Sequence, residues 1–389
     1  MRSCIIYYHG NDWSWTQARQ QYLMAAMSRY VDVIYLDNSY ASKGRVTFRQ
    51  VTPHVTVVKG LVPMMRAMER RKLTPMIPLF AAWKLARIRR GYDRVMFWNA
   101  ESASQPYRFI RHDRLIYDCI DPPFNNDPGL TAAVIVENDR REIEQIERAD
   151  LVFASAASLQ EHCARHHKRV ILLNNACEPA EYDAALVHSA PCPAWWPSSD
   201  RPVAAYLGTI DWRVDLNLLH GVCAANPHLS FIVAGHVLPH LQDKMRALAQ
   251  LPNVVCPGRI DVPEGRFVLS RCAVGLIPFT PGEMNDAINP VKMYAYALLG
   301  KPVVGTTVRE LKTHPKFVDC ADTVDAFSIA LRNALVKSND PEAARRLTAI
   351  ALANTWEGRA AEAWPVLQWL GATARPAANQ VRTAPGRVS

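Results

Sequence analysis

Three ligand-binding spacings are missing from this chain of 389 residues: it has no Asp-x-Asp triplet, no Cys-x-x-Cys pair and no Gly-x-Gly-x-x-Gly loop. Their absence argues against a carboxylate-held metal on a diphosphate, a zinc or dithiol centre, and a dinucleotide-dependent dehydrogenase. Long apolar runs are missing too. None approaches the roughly 18–20 residues of a membrane span. The first apolar stretch, Cys4 to Tyr8, is far shorter than a signal-peptide core and reads as a buried strand. The chain is therefore expected in the cytoplasm. Its nine cysteines are scattered and odd in number, and Cys119, Cys223 and Cys272 lie in apolar settings. Reduced thiols in a core behave as small hydrophobes, so no disulfide framework is expected.

The balance of 49% hydrophobic and 21% charged residues is that of a folded protein, and 389 residues suit two cores better than one. The charge is unevenly placed. Residues 59–94 hold ten Lys or Arg against two acids, Glu69 and Asp93, in a chain of net formal charge +9. Met64, Met65, Met68, Leu79, Phe80 and Trp83 interleave with these cations, and Pro63, Pro75 and Pro78 are expected to break the segment into short helices. A basic amphipathic stretch with Trp and Phe is the pattern of a helix lying on an anionic membrane, while a solvated helix face is the plainer alternative. The residues expected at such a surface are Arg66, Arg70, Arg71, Lys72, Trp83, Lys84, Arg87, Arg89 and Arg90. Nucleic acid fits less well, because no nucleic-acid module accompanies the basic run.

The first half alternates short apolar strands (3–8, 31–36, 55–58, 94–98, 114–118, 151–154, 170–173) with helical patterns at 15–30, 61–90, 129–149 and 159–166. Such alternation predicts βαβ units, hence a parallel sheet with helices on both faces. Residues 189–202 are dense in proline and serine and read as a linker. The alternation then restarts at Val203. The expected organisation is an α/β chain of two doubly wound Rossmann-like domains, 1–188 and 203–353, facing across a cleft. A helix at 354–371 crosses back to the first domain, and the tail 372–389 is disordered. Open parallel sheets bind ligands beyond the carboxyl ends of their strands, so two facing sheets suit transfer between two substrates.

The strongest local signal runs from Asn289 to Val304, NPVKMYAYALLGKPVV. Asn289 suits an N-cap and Pro290 the first helical position. Lys292 then lies in the first turn, where its ammonium and the free N–H groups make an anion site suited to a diphosphate. An exposed lysine is the plainer alternative.

This segment resembles the GT-B glycosyltransferases of the broad family-4-like group, which carry N-P-x-K-x-x-E-Y-x-A-x-G-K-P-V-V. Asn289, Pro290, Lys292, Tyr296, Gly300, Lys301, Pro302, Val303 and Val304 match it. AAYLGTIDW at 204–212 resembles the glycine loop that opens the family's donor domain, and FIVAGH at 231–236 its second strand and loop. The resemblance covers most of 1–370. It implies a nucleotide-sugar-dependent transferase. The donor contacts expected are Gly208, Thr209, Gly235, His236, Glu283, Asn289, Lys292, Met293 and Tyr296, with His236 chosen for its place beyond a strand's carboxyl end, where an ordinary loop histidine is the alternative. It departs at Ala295, where the family's helix carries a glutamate for the donor ribose; Glu283 and Asp286 are alternative acids nearby. The family's Arg and Lys after the glycine loop are missing, with only Arg213 near. These gaps resemble the xanthan-type glucuronosyltransferases, which rely on a lysine in the same helix.

An inverting transferase needs a base for the acceptor hydroxyl. Asp118 and Asp121, at and just after the carboxyl end of a predicted strand, are the catalytic candidates, and either could instead turn the loop before Pro122. His9, Asn11 and Asp12, after the first strand, are competing cleft residues. The expected partners are a nucleotide-sugar, a lipid-linked or polysaccharide acceptor, and an anionic inner-membrane surface to which the protein is peripheral. A UDP-sugar is favoured, and no metal or other cofactor is expected. The rival readings are a nucleotide-sugar 2-epimerase and a catalytically inactive sugar-nucleotide-binding scaffold.

Overall fold

The computed structural model describes residues 2–14, 17–40, 45–89, 91–121 and 131–375, the side chains of Arg87, Ile88 and Arg89 excepted. Several expectations fall wholly or partly outside that set: the side chains of Arg87 and Arg89, Arg90, the first residues of the helices expected at 15–30 and 129–149, the loop that begins at Pro122, and the tail beyond Arg375.

The first strands are β1 Ser3–Tyr8, β2 Asp32–Leu36, β3 Thr47–Thr52, β4 Val55–Lys59, β5 Arg94–Asn99, β6 Arg114–Cys119, β7 Leu151–Ala154 and β8 Val170–Leu172. They form one sheet in the order β3-β4-β2-β1-β5-β6-β7-β8. β1 is parallel to β2 and β5, and β4 is parallel to β2; β3 is paired antiparallel, on the edge beyond β4. Every residue of β1 is buried, as expected for a strand covered on both faces. The helices among these strands are α1 Arg19–Met27, α2 Leu61–Arg70, α3 Ile77–Arg89, α4 Ala132–Arg148, α5 Ala157–Ala164 and α6 Ala184–His188.

The second sheet contains β9 Val203–Leu207, β10 Ser230–Ala234, β11 Val254–Gly258, β12 Val274–Ile277, β13 Val303–Gly305 and β14 Val318–Cys320. Its order is β11-β10-β9-β12-β13-β14, all pairs parallel. This is the doubly wound arrangement in which the strand order reverses between β9 and β12. Its helices are α7 Leu216–Ala225, α8 Gln242–Ala249, α9 Val262–Arg271, α10 Glu283–Asp286, α11 Val291–Leu298, α12 Arg309–Lys312, α13 Val324–Ser338, α14 Pro341–Leu352 and α15 Trp356–Trp369. Several start on side-chain caps, worth about 1 kcal/mol each: Asp215 on α7, Thr323 on α13, and the reciprocal Asp261–Glu264 box on α9.

The chain divides into two compact units, Met1–Ile116 with Ala363–Ser389, and Tyr117–Glu362. The division falls inside β6, well before the proline-rich stretch at 189–202. That stretch forms no helix or strand, and its tryptophans pack on α9: Trp195 donates to Glu264 at 2.9 Å and Trp196 meets Phe267 edge-on. The second half of α15 belongs to the first unit, as expected of a helix that crosses back. There Trp364 stacks on Tyr30. The expected disordered tail from 372 is instead held through Arg375: Ala372 is buried, Thr373 N–H donates to Ser3 Oγ at 2.9 Å, and Arg375 N–H donates to the Tyr30 carbonyl.

The prolines of the basic segment do not break its helices. Pro63 and Pro78 lie in the first turns of α2 and α3, and Pro75 in the 3-10 turn Thr74–Met76, all positions where a missing N–H costs little. The break comes at Lys72, whose φ of 60° is left-handed.

Candidate functional site

The second sheet builds a layer of three loops at its carboxyl ends. β9 runs into Gly208 and β10 into Gly235, both at positive φ (148° and 155°). Gly208 N–H donates to the Ala234 carbonyl, and Gly235 N–H to that of Gly258. Beyond them Ile210 bridges Val237, and Val214 bridges Phe279 in the loop after β12. Thr280 N–H and the Asn285 amide both donate to the Arg213 carbonyl, which fastens the loops after β9 and β12 together at the strand-order reversal.

Lys292 reaches into this layer from the first turn of α11. Its ammonium lies 4.1 Å from the centroid of the Tyr206 ring and 5.0 Å from that of Phe279. A Cβ on Gly208 would come within 2.8 Å of Nζ, so only glycine lets the lysine lie this close to the backbone. Among the described residues no carboxylate forms an ion pair with it. Burial, aided by the charge of Arg213 and opposed by Asp211, pulls its pKa down to about 7. The aromatic faces offset part of that desolvation through cation–π attraction.

Arg213 stands beside it. Its Nε donates to both oxygens of the buried Asp211, at 2.9 and 3.0 Å, and Nη2 donates to Oδ2. Burial would lower the guanidinium's pKa, but the Asp211 bonds, with smaller contributions from Tyr206 and Asp121, hold it above its usual value. The Asp121 carboxylate thus acts on the same loop layer.

The other expected donor residues divide into two sets. Thr209 and His236 are exposed on the loops, and Glu283 is exposed at the start of α10. Met293 and Tyr296 lie beneath them instead, fully buried; Tyr296 donates to the Ala205 carbonyl at 2.7 Å, and its ring covers Gly275. They form the floor of the site and present nothing to a ligand. Asn289 is not an N-cap: α11 begins after Pro290 with no side-chain cap. Its side chain is committed elsewhere. Nδ2 donates to Glu310 at 2.8 Å, and Oδ1 accepts from Asn175 N–H and the Tyr294 hydroxyl. Glu310, itself buried, accepts a second bond from Ala157 N–H. This buried polar cluster ties α11 and α12 to the start of α5.

The two catalytic candidates differ. β6 runs to Cys119, one residue further than predicted, so Asp118 lies within the strand, 0% exposed and engaged inside the protein. Asp121, two residues beyond the strand, is exposed. Only Asp121 is open to a substrate.

In the first unit, His9, Asn11 and Asp12 follow β1 as expected. Asn11 is exposed, and its carbonyl accepts from the Tyr35 hydroxyl. Asp12 hydrogen-bonds to the buried Asp37. Burial first, then the Asp37 charge, raise the Asp12 pKa. Burial pushes Asp37 the same way, but Ser39, the Trp13 N–H and Lys59 outweigh it and hold Asp37 ionised.

The basic segment divides as well. Arg70, Arg71 and Lys72 are exposed, along with Leu73, Met76, Leu79 (71%) and Trp83 (70%), and the Lys84 ammonium lies 4.2 Å from the Trp83 ring centroid. Arg66 is not part of that surface. It is half-buried and turned to the carboxyl end of β1, where Nη2 donates to the Tyr8 hydroxyl. No helix among the described residues is long and apolar enough to cross a membrane.

Sequence reasoning missed Asp211, Tyr206 and Phe279. The Asp-x-Arg spacing directly after the glycine loop was the one visible trace of Asp211.

No protein-family model matches the chain. Over 206 residues it is 24% identical to TuaH of Bacillus subtilis (strain 168), named as a teichuronic acid biosynthesis glycosyltransferase; the match spans 50% of this chain and 51% of that protein. Sucrose-phosphate synthase from Thermosynechococcus elongatus superposes with a TM-score of 0.68 at 15% identity, covering 95% of this chain and 99% of that one. The E. coli trehalose-6-phosphate structure bound with UDP-2-fluoro glucose gives 0.69 at 10%, covering 96% and 100%. Anabaena Alr3699/HepE in complex with UDP and glucose gives 0.62 at 14%, covering 94% and 99%. The fold is GT-B, and these similar proteins include glycosyltransferases.

Proposed function

We propose that the chain transfers a sugar from a nucleoside-diphosphate donor, a UDP-sugar by preference, to a lipid-linked or polysaccharide acceptor. One observation carries the reading: Lys292, a cation with no carboxylate ion pair among the described residues, stands where the strand order of a doubly wound sheet reverses. A diphosphate seated there gives Lys292 the counter-charge it lacks, and Arg213 adds a second cation. In the transfer, Asp121 takes the proton of the acceptor hydroxyl. The acceptor oxygen attacks the anomeric carbon opposite the leaving group, with inversion. The bond from that carbon to the β-phosphate oxygen breaks, and the nucleoside diphosphate leaves with the electron pair, its charge met by Lys292 and Arg213. These two cations do the work a metal does in other transferases. UDP in the HepE complex and the teichuronic acid in TuaH's name support the donor and a role in glycan synthesis.

The face bearing Arg70, Arg71, Lys72, Leu79 and Trp83 would seat the protein peripherally on an anionic inner membrane, next to a lipid-linked acceptor. A second reading, a sugar-nucleotide-binding scaffold without turnover, is favoured by Ala295, a small buried residue where the resemblance calls for glutamate.

The test is a thermal-shift screen of the protein and of Lys292→Ala against UDP, GDP, CDP, ADP and dTDP, with and without EDTA. Ligands that bind the native state raise its melting temperature. The reading expects a shift with one nucleotide that is insensitive to EDTA and lost in the variant. No shift with any nucleotide would overturn it. Binding without hydrolysis or transfer of the matching nucleotide-sugar would favour the scaffold.

A further inference from the structure

In the first sheet the strand order reverses between β1 and β5, since β2 lies on one side of β1 and β5 on the other. The carboxyl ends there are Tyr8 and Asn99, which pair in register. The buried Asn99 amide shapes the loop after β5 by donating to the carbonyls of Glu101 and Ser104. That loop brings Ser104 Oγ to within 3.2 Å of Arg66 Nη2, the same nitrogen that donates to the Tyr8 hydroxyl at 2.8 Å. Arg66 comes from α2, whose Leu61, Val62 and Met65 are buried in the cluster that also holds Tyr8. The guanidinium is thus half-buried and aimed by packing and by two hydroxyls.

Both hydroxyls are neutral, and both are served by one nitrogen, Nη2, which carries two of the five N–H groups. Among the described residues no carboxylate pairs with Arg66. Glu101, whose charge is felt at the Tyr8 hydroxyl, places Oε1 on the Ala103 N–H and Oε2 beside Gly10. A half-buried arginine held by Nη2 keeps the Nε–H and the N–H groups of Nη1 as charged donors. An oxyanion takes charge-assisted hydrogen bonds from these fixed, planar donors, where a lysine would offer only a point charge. The position, beyond the carboxyl ends of strands at an order reversal, is where open parallel sheets take ligands.

We propose that Arg66 is an oxyanion receptor that binds a phosphate or carboxylate group of the acceptor, with Tyr8 and Ser104 as its positioning residues. This rests on the transferase reading above and gives its acceptor a chemical class: an anionic glycan or a phosphate-bearing one, in preference to a neutral sugar.

The experiment uses the full chain saturated with UDP, so that the donor cations are occupied. Inorganic phosphate and glucuronate are titrated at constant ionic strength, against chloride and glucose as controls, and binding is followed by line broadening in 31P and 1H NMR. At least one of the two anions is expected to bind, and Arg66→Gln to weaken it roughly tenfold or more, the loss of charge-assisted hydrogen bonds. Arg66→Lys should recover only part of the affinity. Tyr8→Phe, nearly isosteric, should weaken binding while leaving melting close to wild type, and Arg49→Gln, exposed on the edge strand β3, should leave it unchanged. Phosphate binding alone identifies a phosphate-bearing acceptor, glucuronate binding alone a uronic acid. The proposal is overturned if neither anion binds above chloride, or if Arg66→Gln and Arg49→Gln behave alike. If UDP itself does not bind, the titration is run on Lys292→Ala without nucleotide. Anion binding that still depends on Arg66 then supports the receptor while the donor reading fails, and its absence overturns both.

Discussion

Gly235 and Gly208 meet so closely that a Cβ on Gly235 would lie 1.8 Å from the Gly208 carbonyl oxygen. Neither backbone has room to move, because Gly208 N–H is bonded to Ala234 and Gly235 N–H to Gly258. Gly235→Ala therefore forces the ends of β9 and β10 apart and strains a φ of 155° at once. We expect it to cost about 2 kcal/mol or more and to abolish nucleotide binding even where the protein still folds. Chemical denaturation and a UDP titration check this together; wild-type affinity in the alanine variant would show that the loop layer is not the donor site.

Lys292 gives the donor site a pH dependence of definite sign. Free, it is neutral above about pH 7. Bound to a diphosphate it is charged, so binding takes up a proton in that range. Affinity for UDP should fall between pH 7 and 9, approaching tenfold per pH unit. Lys292→Arg, charged throughout, should flatten the profile. Isothermal titration in two buffers of different ionisation enthalpy reads the proton directly, and a flat wild-type profile would sink the assignment. Folding responds in the opposite sense. The unfolded lysine holds its proton up to its ordinary value near 10.5, so this group's contribution to stability rises as pH climbs from about 7 toward 10.5.

Asp118 and Asp121 should separate chemistry from stability. Asp121→Asn is expected to lower kcat by roughly 10²–10⁴-fold, the usual share of a general base, with melting unchanged. Asp118→Asn alters a group buried in β6 and should cost about 1–3 kcal/mol of stability. Paired kinetics and melts distinguish them. The reverse pattern would move the base away from Asp121.

Membrane attachment is tested by sedimentation with vesicles. Wild-type protein should pellet with phosphatidylglycerol vesicles and much less with phosphatidylcholine alone. Trp83→Ala combined with Gln at Arg70, Arg71 and Lys72 should lower partitioning by roughly tenfold or more, at about 1 kcal/mol per basic residue near the surface. Equal pelleting of the variant would leave that face as solvated surface.

What was legible in the sequence was local. The βαβ rhythm, the glycines that end β9 and β10, and Lys292 just past a helix start depend on neighbours a few residues away. Residues whose roles come from distant partners were misread. Asn289 has the chemistry of a cap, but Asn175 and Glu310, far off in the chain, claim its side chain first. Arg66 sits in a run of surface cations, and only the fold of the loop after β5 shows that it turns inward. Tyr206 and Phe279 frame Lys292 because β9 and β12 are neighbours, which no spacing encodes. β3 escaped notice because it is an edge strand with almost every residue exposed, so it carries no apolar pattern.

The hydrogen bonds between Thr373 and Ser3, and the stack of Trp364 on Tyr30, also set an order of events during synthesis. β1 is made before the second sheet, and the residues that complete its surroundings after it. Tyr30 must wait uncovered while the whole of the second sheet is translated. Emergence of Trp364 and Thr373, and not that of the strands they cover, is the step at which this unit can close.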